Sequence, residues 1–286
     1  CVEEGGRTKG LGGSCEMKAK VIGLDGSESD EIELPAVFDT PYRPEVIHKV
    51  YVNVLSHSYQ RQGRYPAAGE MVSAESRNTG LGIARLARAR GEGFPRAGQA
   101  AGVAGVRHGR VAHPPQSWKI IYKKINRKEK QLGFCSAIAV TAQKELVQRR
   151  GHKIGNDVKL PLIVSNDIES IAKTKDLKNA LIRLGLGDDI ARASMMRKAR
   201  SGTPRRRGRS TRSGTSALII VGNDSKLVGL SQSIVGVDIK HAKDVSILDL
   251  VPGSKPIRLT IFSQSAIEYM KKLQAPMHKV LEVIRK

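Results

Sequence analysis

The chain has 286 residues, and its 49 lysines and arginines outnumber 27 aspartates and glutamates, which gives a formal charge of +22. A charge this positive over a whole chain indicates a polyanionic partner, either a nucleic acid or an anionic membrane surface. No apolar run approaches 18 residues, so no membrane-spanning helix is expected, while 40% hydrophobic residues suffice for a core.

The first sixteen residues carry no apolar segment of the signal-peptide type, and we expect residues 1–16 to be an unstructured extension. The three cysteines, Cys1, Cys15 and Cys135, form no C-x-x-C pair, so they predict neither a disulfide framework nor a zinc site. This use of cysteine is typical of a cytosolic protein. Cys135 lies in an apolar helical pattern and is predicted to be a core residue.

Two elements are predicted before the pattern is interrupted. Residues 18–24 and 31–34, separated by a turn at Asp25-Gly26, predict a short hairpin. A helix is predicted from Pro44 to about Tyr59, because its apolar residues fall on one face and proline suits a first helical turn.

The interruption is an arginine-rich segment, predicted as an arm over residues 60–118. From Arg61 to Trp118 there is no lysine or aspartate, only three glutamates, and much glycine and alanine. Its nine arginines are Arg61, Arg64, Arg77, Arg85, Arg88, Arg90, Arg96, Arg107 and Arg110.

Such a segment has too few large apolar groups to offset its ordering entropy, so alone it should be flexible. Arginine suits a bidentate grip on phosphate and stacking on bases, and the small residues let backbone approach backbone closely. These features predict a long arm that orders against folded RNA. An ordinary disordered linker is the alternative.

The remaining pattern alternates between helices and strands. Helical spacing from Asn126 to a stop at Gly151 predicts one helix, and Ser263 is a candidate cap for a helix through Met270, with more helical sequence beyond Pro276. Other predictions are strands at 160–165, 217–222, 245–250 and 258–263, and a helix over 174–184. A second basic run, from Arg197 to Arg212, includes Lys198, Arg200, Arg205, Arg206, Arg207 and Arg209 and contains no acid.

This alternation predicts an α/β fold, with a parallel sheet covered by helices on both faces and a long extended loop inserted after the first helix. Residues 17–59 and 119–286 would form a single globular body.

Catalytic signals are missing. There is no glycine-rich phosphate loop after a strand, no histidine–cysteine cluster and no nucleophile elbow. Asp167 and Asp224 follow predicted strands, where α/β enzymes place functional residues, but helix capping is the preferred interpretation. The sequence therefore predicts no enzyme, no cofactor and no metal.

Several long motifs occur together and in order. They are LPAVFDTPYRPEVI (34–47), SAESRNTG (73–80), VAHPP (111–115), RKEKQLGFCSAIAVTA (127–142), GHK (151–153), KARSGTPRRRGR (198–209) and LDLVPGSKPIRLTIFSQSA (248–266). Together they resemble the family of the fourth protein of the large ribosomal subunit, in its archaeal and eukaryotic branch. The resemblance covers residues 17 to about 270.

The resemblance implies a structural constituent of the large subunit, located in cytoplasmic ribosomes, that binds 23S-type rRNA and supports subunit assembly. Its implied partners are that rRNA, neighbouring ribosomal proteins and the nascent peptide, with no membrane. The arm would line the peptide exit tunnel, where it forms a constriction with another ribosomal protein. The residues implied to bind rRNA are the nine arm arginines, together with Lys198 and the five arginines at 200, 205, 206, 207 and 209.

The arm tip is expected around residues 79–90, and its tunnel-facing candidates are Gly80, Leu81, Gly82 and Ile83. Relatives commonly carry an arginine just after the Thr-Gly step, whereas this chain has Leu81. If Leu81 faces the tunnel, the wall there is less positive than in relatives. Two alternatives stay open: a regulatory RNA-binding protein acting outside the ribosome, and an RNA-modifying enzyme on the α/β body.

Overall fold

The computed structural model describes residues 17–155, 158–222, 225–231, 233–255 and 257–271. The chain divides into two compact units. Residues 1–55 and 124–286 form the body unit, and residues 56–123 form the inserted unit. No helix within the described ranges is long and apolar enough to span a membrane.

The body unit contains eight short strands and eight α-helices among the described residues, and the inserted unit contains two short strands. The strands are β1 (Lys18–Ile22), β2 (Glu28–Glu33), β3 (Ala74–Ser76), β4 (Ala87–Ala89), β5 (Leu162–Val164), β6 (Lys198–Ala199), β7 (Thr211–Arg212), β8 (Leu218–Val221), β9 (Asp238–His241) and β10 (Thr260–Ser263). The α-helices are α1 (Pro44–Ser56), α2 (Arg127–Val140), α3 (Lys144–Arg149), α4 (Thr174–Leu181), α5 (Gly187–Met195), α6 (Gly202–Arg206), α7 (Ile247–Leu250) and α8 (Gln264–Lys271).

A six-stranded sheet in the order β2-β1-β5-β10-β8-β9 forms the centre of the body unit. Only the β1–β2 pair is antiparallel, and the other four pairings are parallel. The predicted first hairpin is therefore confirmed, and so is the predicted parallel sheet, apart from the antiparallel β1–β2 pair at its edge.

Both faces of this sheet are covered. Side chains of Ile163 and Phe262 pack into a cluster with apolar residues of α1, α2 and α8. Their strand neighbours Leu162 and Ile261 pack into a second cluster with residues of α3, α4 and α5. Successive side chains of a strand point to opposite faces, so strands buried on both sides read as continuous apolar runs. This is why the apolar runs of β5 and β8 were recognisable in the sequence.

The helix predicted from Asn126 to Gly151 is wrong in one respect, because it is two helices. Helix α2 ends at Val140, and Gln143 is extended, with φ −92° and ψ 101°, before α3 begins. The Thr141 hydroxyl donates to the Ile138 carbonyl at 2.6 Å and so satisfies one of the last carbonyls of α2. Apolar spacing continues across the break, which hid it.

The strand predicted at 245–250 is also wrong, because this segment contains the helical turn α7. Ser246 and Asp249 form a capping box, in which the Ser246 backbone N–H donates to Asp249 Oδ2 at 3.0 Å. The β-branched and apolar letters of VSILDL favoured a strand, but the cap determines the local conformation.

The body elements that were not predicted are the edge strand β9, helix α5 and the short elements β6, α6 and β7 within the second basic run. The predicted Ser263 cap is confirmed, since Ser263 Oγ accepts the Ala266 backbone N–H at 3.2 Å at the start of α8. The expected extension at 1–16 and the helical sequence beyond Pro276 lie outside the described residues.

Candidate nucleic-acid interface

The inserted unit has a small β-structure at its centre. Strands β3 and β4 pair in antiparallel fashion, with Ala74 opposite Ala89. On its other edge β4 meets residues 99–101, where the Ala89 N–H donates to the Gln99 carbonyl and the Ala101 N–H to the Ala87 carbonyl, both at 2.9 Å. This contact fixes the backbone of Arg88 between two neighbours.

Backbones approach closely elsewhere in this unit, as the small residues predicted. A Cβ on Gly69 would lie 2.8 Å from the Gly109 carbonyl oxygen, and one on Gly109 would lie 2.0 Å from the Val103 carbonyl oxygen. Neither distance is compatible with a side chain, so glycine is needed at both positions.

Four of the nine arginines are tied into this local structure. Arg88 Nη1 donates to the Gly98 carbonyl at 3.0 Å, and Arg96 Nη2 donates to the Arg107 carbonyl at 3.1 Å. Arg90 pairs with Glu75 at 3.2 Å, and Arg110 lies 3.8 Å from Glu70. These contacts hold the side chains in place, but only two of them neutralise a charge.

Apart from Arg90 and Arg110, the remaining seven arginines of this segment have no carboxylate within 4.0 Å among the described residues. Eleven lysines and arginines stand against three glutamates in residues 56–123. Five of the nine arm arginines are exposed, and four are half-buried. The exposed ones are Arg61, Arg77, Arg85, Arg90 and Arg107, and the half-buried ones are Arg64, Arg88, Arg96 and Arg110.

The four tunnel-tip candidates lie together in the connection between β3 and β4. Gly80 and Gly82 have φ values of +91° and +64°, which side chains rarely adopt, and a Cβ on either would meet nothing within 4 Å. Leu81 and Ile83 are 58% and 45% exposed. The turn therefore presents two uncovered aliphatic side chains.

The second basic run forms a hairpin in the body unit. Strand β6 pairs with β7, with Lys198 opposite Arg212, and Arg200 N–H donates to the Ser210 carbonyl at 2.8 Å. Arg200 is half-buried, and the remaining candidates are exposed: Lys198, Arg205, Arg206, Arg207 and Arg209. The hairpin concentrates these cations on one short connection.

A buried polar network that the sequence did not reveal lies beside this hairpin. Asp189, fully buried in α5, accepts hydrogen bonds from His152 Nδ1 at 3.0 Å and Ser216 Oγ at 2.6 Å through Oδ2. Its Oδ1 accepts from the Lys153 backbone N–H at 3.0 Å and from Arg192 Nε at 2.9 Å. Because Arg192 precedes the basic hairpin and Ser216 follows it, Asp189 joins both ends of that segment.

The same network lowers the pKa of Asp189 and fixes the tautomer of His152. Burial alone raises the pKa of the Asp189 carboxyl, but hydrogen bonds from His152, Arg192 and Ser216 outweigh it and hold this pKa well below its ordinary value. The Leu259 backbone N–H donates to His152 Nε2 at 3.3 Å, which assigns the proton of His152 to Nδ1.

A buried arginine supports the neighbouring strand starts. Arg258 pairs with Asp238 at 2.6 Å and donates to the backbone carbonyls of Ser216, Ala217 and Gly236. The start of β10 is thereby bound to those of β8 and β9.

At the opposite edge, where parallel strands end and α/β enzymes usually bind ligands, side chains fill the space. Glu169 Oε1 accepts the Gly222 N–H at 2.9 Å and also the Ser265 hydroxyl. A Cβ on Gly222 would lie 2.3 Å from Ser265 Oγ. Asp167 accepts the Ser165 hydroxyl at 2.9 Å, while Asp224 lies outside the described residues.

The predicted core role of Cys135 is confirmed. The side chain is buried, and burial raises the pKa of its thiol to about 11, so little reactive thiolate exists near neutral pH. Within the described ranges no group of three or more histidine, cysteine or acidic residues is arranged to hold a metal ion.

The model of the ribosomal protein L4/L1 family matches residues 32–273. The chain belongs to this family. Members of the L4/L1 family are structural ribosomal proteins and not enzymes.

Three archaeal relatives match this chain over almost their whole length. The large ribosomal subunit protein uL4 of Methanococcus maripaludis strain C7 is 42% identical over 255 residues, covering 88% of this chain and 98% of the relative. The protein of the same name from Methanococcus vannielii is 41% identical over 258 residues, which cover 89% of this chain and 99% of the relative. The protein of the same name from Haloquadratum walsbyi is 39% identical over 252 residues, which cover 88% of this chain and 98% of the relative. These matches confirm the resemblance inferred from the sequence motifs.

Proposed function

We propose that the chain is a structural constituent of the large ribosomal subunit, the subunit after which its relatives are named. In this proposal the inserted unit and the basic hairpin β6–β7 bind large-subunit rRNA and support its assembly. The observation that carries it is the inserted unit itself, which holds seven arginines without a carboxylate partner among the described residues.

Charge neutralisation supplies the driving force. Each arginine that contacts a phosphate releases condensed counterions, so binding weakens as salt rises. About six to ten such contacts would weaken binding roughly 10³- to 10⁵-fold between about 50 and 200 mM salt, by analogy with duplex DNA. The planar guanidinium can grip two phosphate oxygens at once, which fixes the inserted unit against closely packed rRNA helices.

The β3–β4 connection is proposed to line the peptide exit tunnel, with neighbouring ribosomal proteins and the nascent peptide as its partners. Two features support this: the turn is open around Gly80 and Gly82, and Leu81 and Ile83 are exposed. With Leu81 at this position the wall would be locally apolar.

Sucrose-gradient fractionation of a cell lysate, before and after a high-salt wash, tests the proposal. Salt-resistant co-sedimentation with the assembled large subunit is expected, because an inserted unit enclosed by folded rRNA cannot leave unless that rRNA unfolds. The weakening by salt applies to binding of the free chain to rRNA before assembly. A chain found free, or removed by moderate salt, would overturn an integral structural role and favour a regulatory RNA-binding protein.

A further inference from the structure

Three side chains of the inserted unit form a stack that the basic residues alone do not explain. The rings of His57 and Tyr122 are stacked, with centroids 5.3 Å apart and an interplanar angle of 19°. The guanidinium carbon of Arg61 lies 4.9 Å from the Tyr122 ring centroid, over the ring. Planar groups from both ends of the inserted segment are thus brought together.

Hydrogen bonds hold this stack in position. His57 Nε2 donates to the Lys123 carbonyl at 3.2 Å, and the Lys123 N–H donates to Ser56 Oγ at 3.0 Å. The residues that flank the rings in sequence are therefore bonded to each other. A ring that is already ordered loses little further entropy when a ligand stacks on it.

The stack is open to solvent, unlike an aromatic pair in a core. Tyr122 is 40% exposed, and His57 and Arg61 are exposed as well. Two further aromatic residues of the same unit, Tyr59 and Trp118, are 56% and 62% exposed. With only 4% aromatic residues in the chain, this clustering at the ends of one segment is a distinct feature.

We propose that the stack formed by His57, Tyr122 and Arg61 is a binding platform for an unpaired RNA base, which extends it by stacking. The proposal rests on the rRNA-binding function above. It adds a contact to the face of a base, whereas the arginines contact phosphates. Every base has a π-face, so the platform accepts any unstacked base and favours purines through their larger rings.

This contact differs from phosphate binding in its response to salt. Stacking releases no counterions, so its contribution to affinity is the same at low and high salt. The ring face of Tyr122 offers no positive charge to a phosphate, whereas Arg61 can serve both the stack and a nearby phosphate. Loss of the Tyr122 ring should therefore lower the affinity for RNA without changing the slope of log affinity against log salt.

The test uses the full-length chain and two probes of equal length and charge: a single-stranded oligoadenosine and the same strand with abasic sites. We expect the oligoadenosine to bind about ten- to a hundredfold more tightly than the abasic strand. In Tyr122→Leu this preference should fall to within about threefold while the salt slope stays unchanged. His57→Ala, which leaves Tyr122 in place, should give a smaller loss of the same kind.

Tyr65→Leu is the matched control, because Tyr65 is 62% exposed in the same unit but is not part of the stack. It should keep the preference for bases. Equal binding of the two probes by the unaltered chain, or equal losses in Tyr65→Leu and Tyr122→Leu, would overturn the platform. Salt-resistant co-sedimentation with the large subunit would stand in either case, so failure of the platform is separable from failure of the proposed function.

Discussion

At the scale of single residues, Asp189 shows how the body unit holds a buried charge. A buried carboxylate is costly unless it is paired and hydrogen-bonded. Four donors satisfy Asp189, and two of them, Arg192 and Ser216, lie before and after the basic hairpin in the chain. Asp189, a buried residue, therefore helps to position the β6–β7 hairpin, which is a proposed RNA-binding element.

Replacement of this carboxylate gives a sharp prediction. Asp189→Asn keeps the size but removes the carboxylate charge that pairs with Arg192, so the free energy of unfolding should fall by about 3 kcal/mol. Urea unfolding of the isolated chain, followed by far-ultraviolet circular dichroism, measures it. Asp188→Asn is the control, since Asp188 is the exposed neighbour in the same helical turn. Equal losses in the two variants would contradict a special role for Asp189.

The difference in stability between the unaltered chain and Asp189→Asn should depend on pH, and the sign of this dependence is defined. Because the folded-state pKa of Asp189 lies below its unfolded value of about 3.8, its contribution to stability is complete above that pH and is lost as the pH falls below it. The stability gap between the unaltered chain and Asp189→Asn should stay constant from about pH 7 to pH 5 and narrow below about pH 4. A gap that widened in acid would contradict the assignment.

Asp189 could not be recognised from the sequence, for a physical reason. Its partners His152 and Ser216 are 37 and 27 residues away, and only the folded backbone brings them together. The arginines were recognisable because their signal is local composition. Their individual contacts, such as Arg88 with the Gly98 carbonyl, depend on the pairing of β4 with residues 99–101.

At the scale of elements, the β3–β4 structure gives the arginines a fixed frame. Arg88 and Arg90 lie on or beside the central strand of this small sheet, and Arg85 precedes it. All three lie within one six-residue stretch, which begins two residues after the turn at 80–83. This arrangement predicts that the three arginines act as a group.

Replacing Arg85, Arg88 and Arg90 together with alanine should leave the body unit folded, because all three lie in the inserted unit. Subunit yield in sucrose gradients should fall, and the slope of log affinity for large-subunit rRNA against log salt should fall by about two to three. The same triple replacement by lysine is the control for charge. It should restore the slope but only part of the affinity, since lysine cannot make the bidentate contact. Unchanged yield in the alanine variant would contradict the prediction.

A second element-scale prediction concerns the turn. A photo-reactive amino acid at Leu81 should cross-link to nascent peptide in stalled ribosomes, because we place this side chain at the tunnel wall. The same group at Ile182, which is 49% exposed on the body unit, is the control and should give no such product. Cross-links from Leu81 to rRNA alone would show that the side chain turns away from the tunnel.

Elements were predictable where one local signal dominated. The buried runs of β5 and β8 are continuous apolar segments, and they were found. Residues 245–250 carry two conflicting signals, strand-forming side chains and a Ser246–Asp249 capping box, and the cap prevails. Strand β9 alternates Asp238 and Lys240 with Ile239 at a sheet edge, so its apolar signal is a single buried residue.

At the scale of the whole molecule, the two units divide two tasks. The body unit closes its sheet on both faces, and Glu169 and Ser265 fill the edge where an enzyme of this fold would bind a ligand. The inserted unit leaves twelve large apolar side chains exposed and most of its arginines without acidic partners among the described residues. Both properties of the inserted unit favour burial against a polyanion that also offers flat apolar surfaces, which is the chemistry of folded RNA.

An electron cryo-microscopy map of large ribosomal subunits that carry this chain would test burial of the inserted unit in rRNA most directly. We expect density for residues 61–118 enclosed by rRNA, with guanidinium groups of the arm arginines at hydrogen-bond distance from phosphates and residues 80–83 at the tunnel wall. A map in which residues 61–118 lie in solvent on the subunit surface would contradict this function for the inserted unit, even if the body unit were bound.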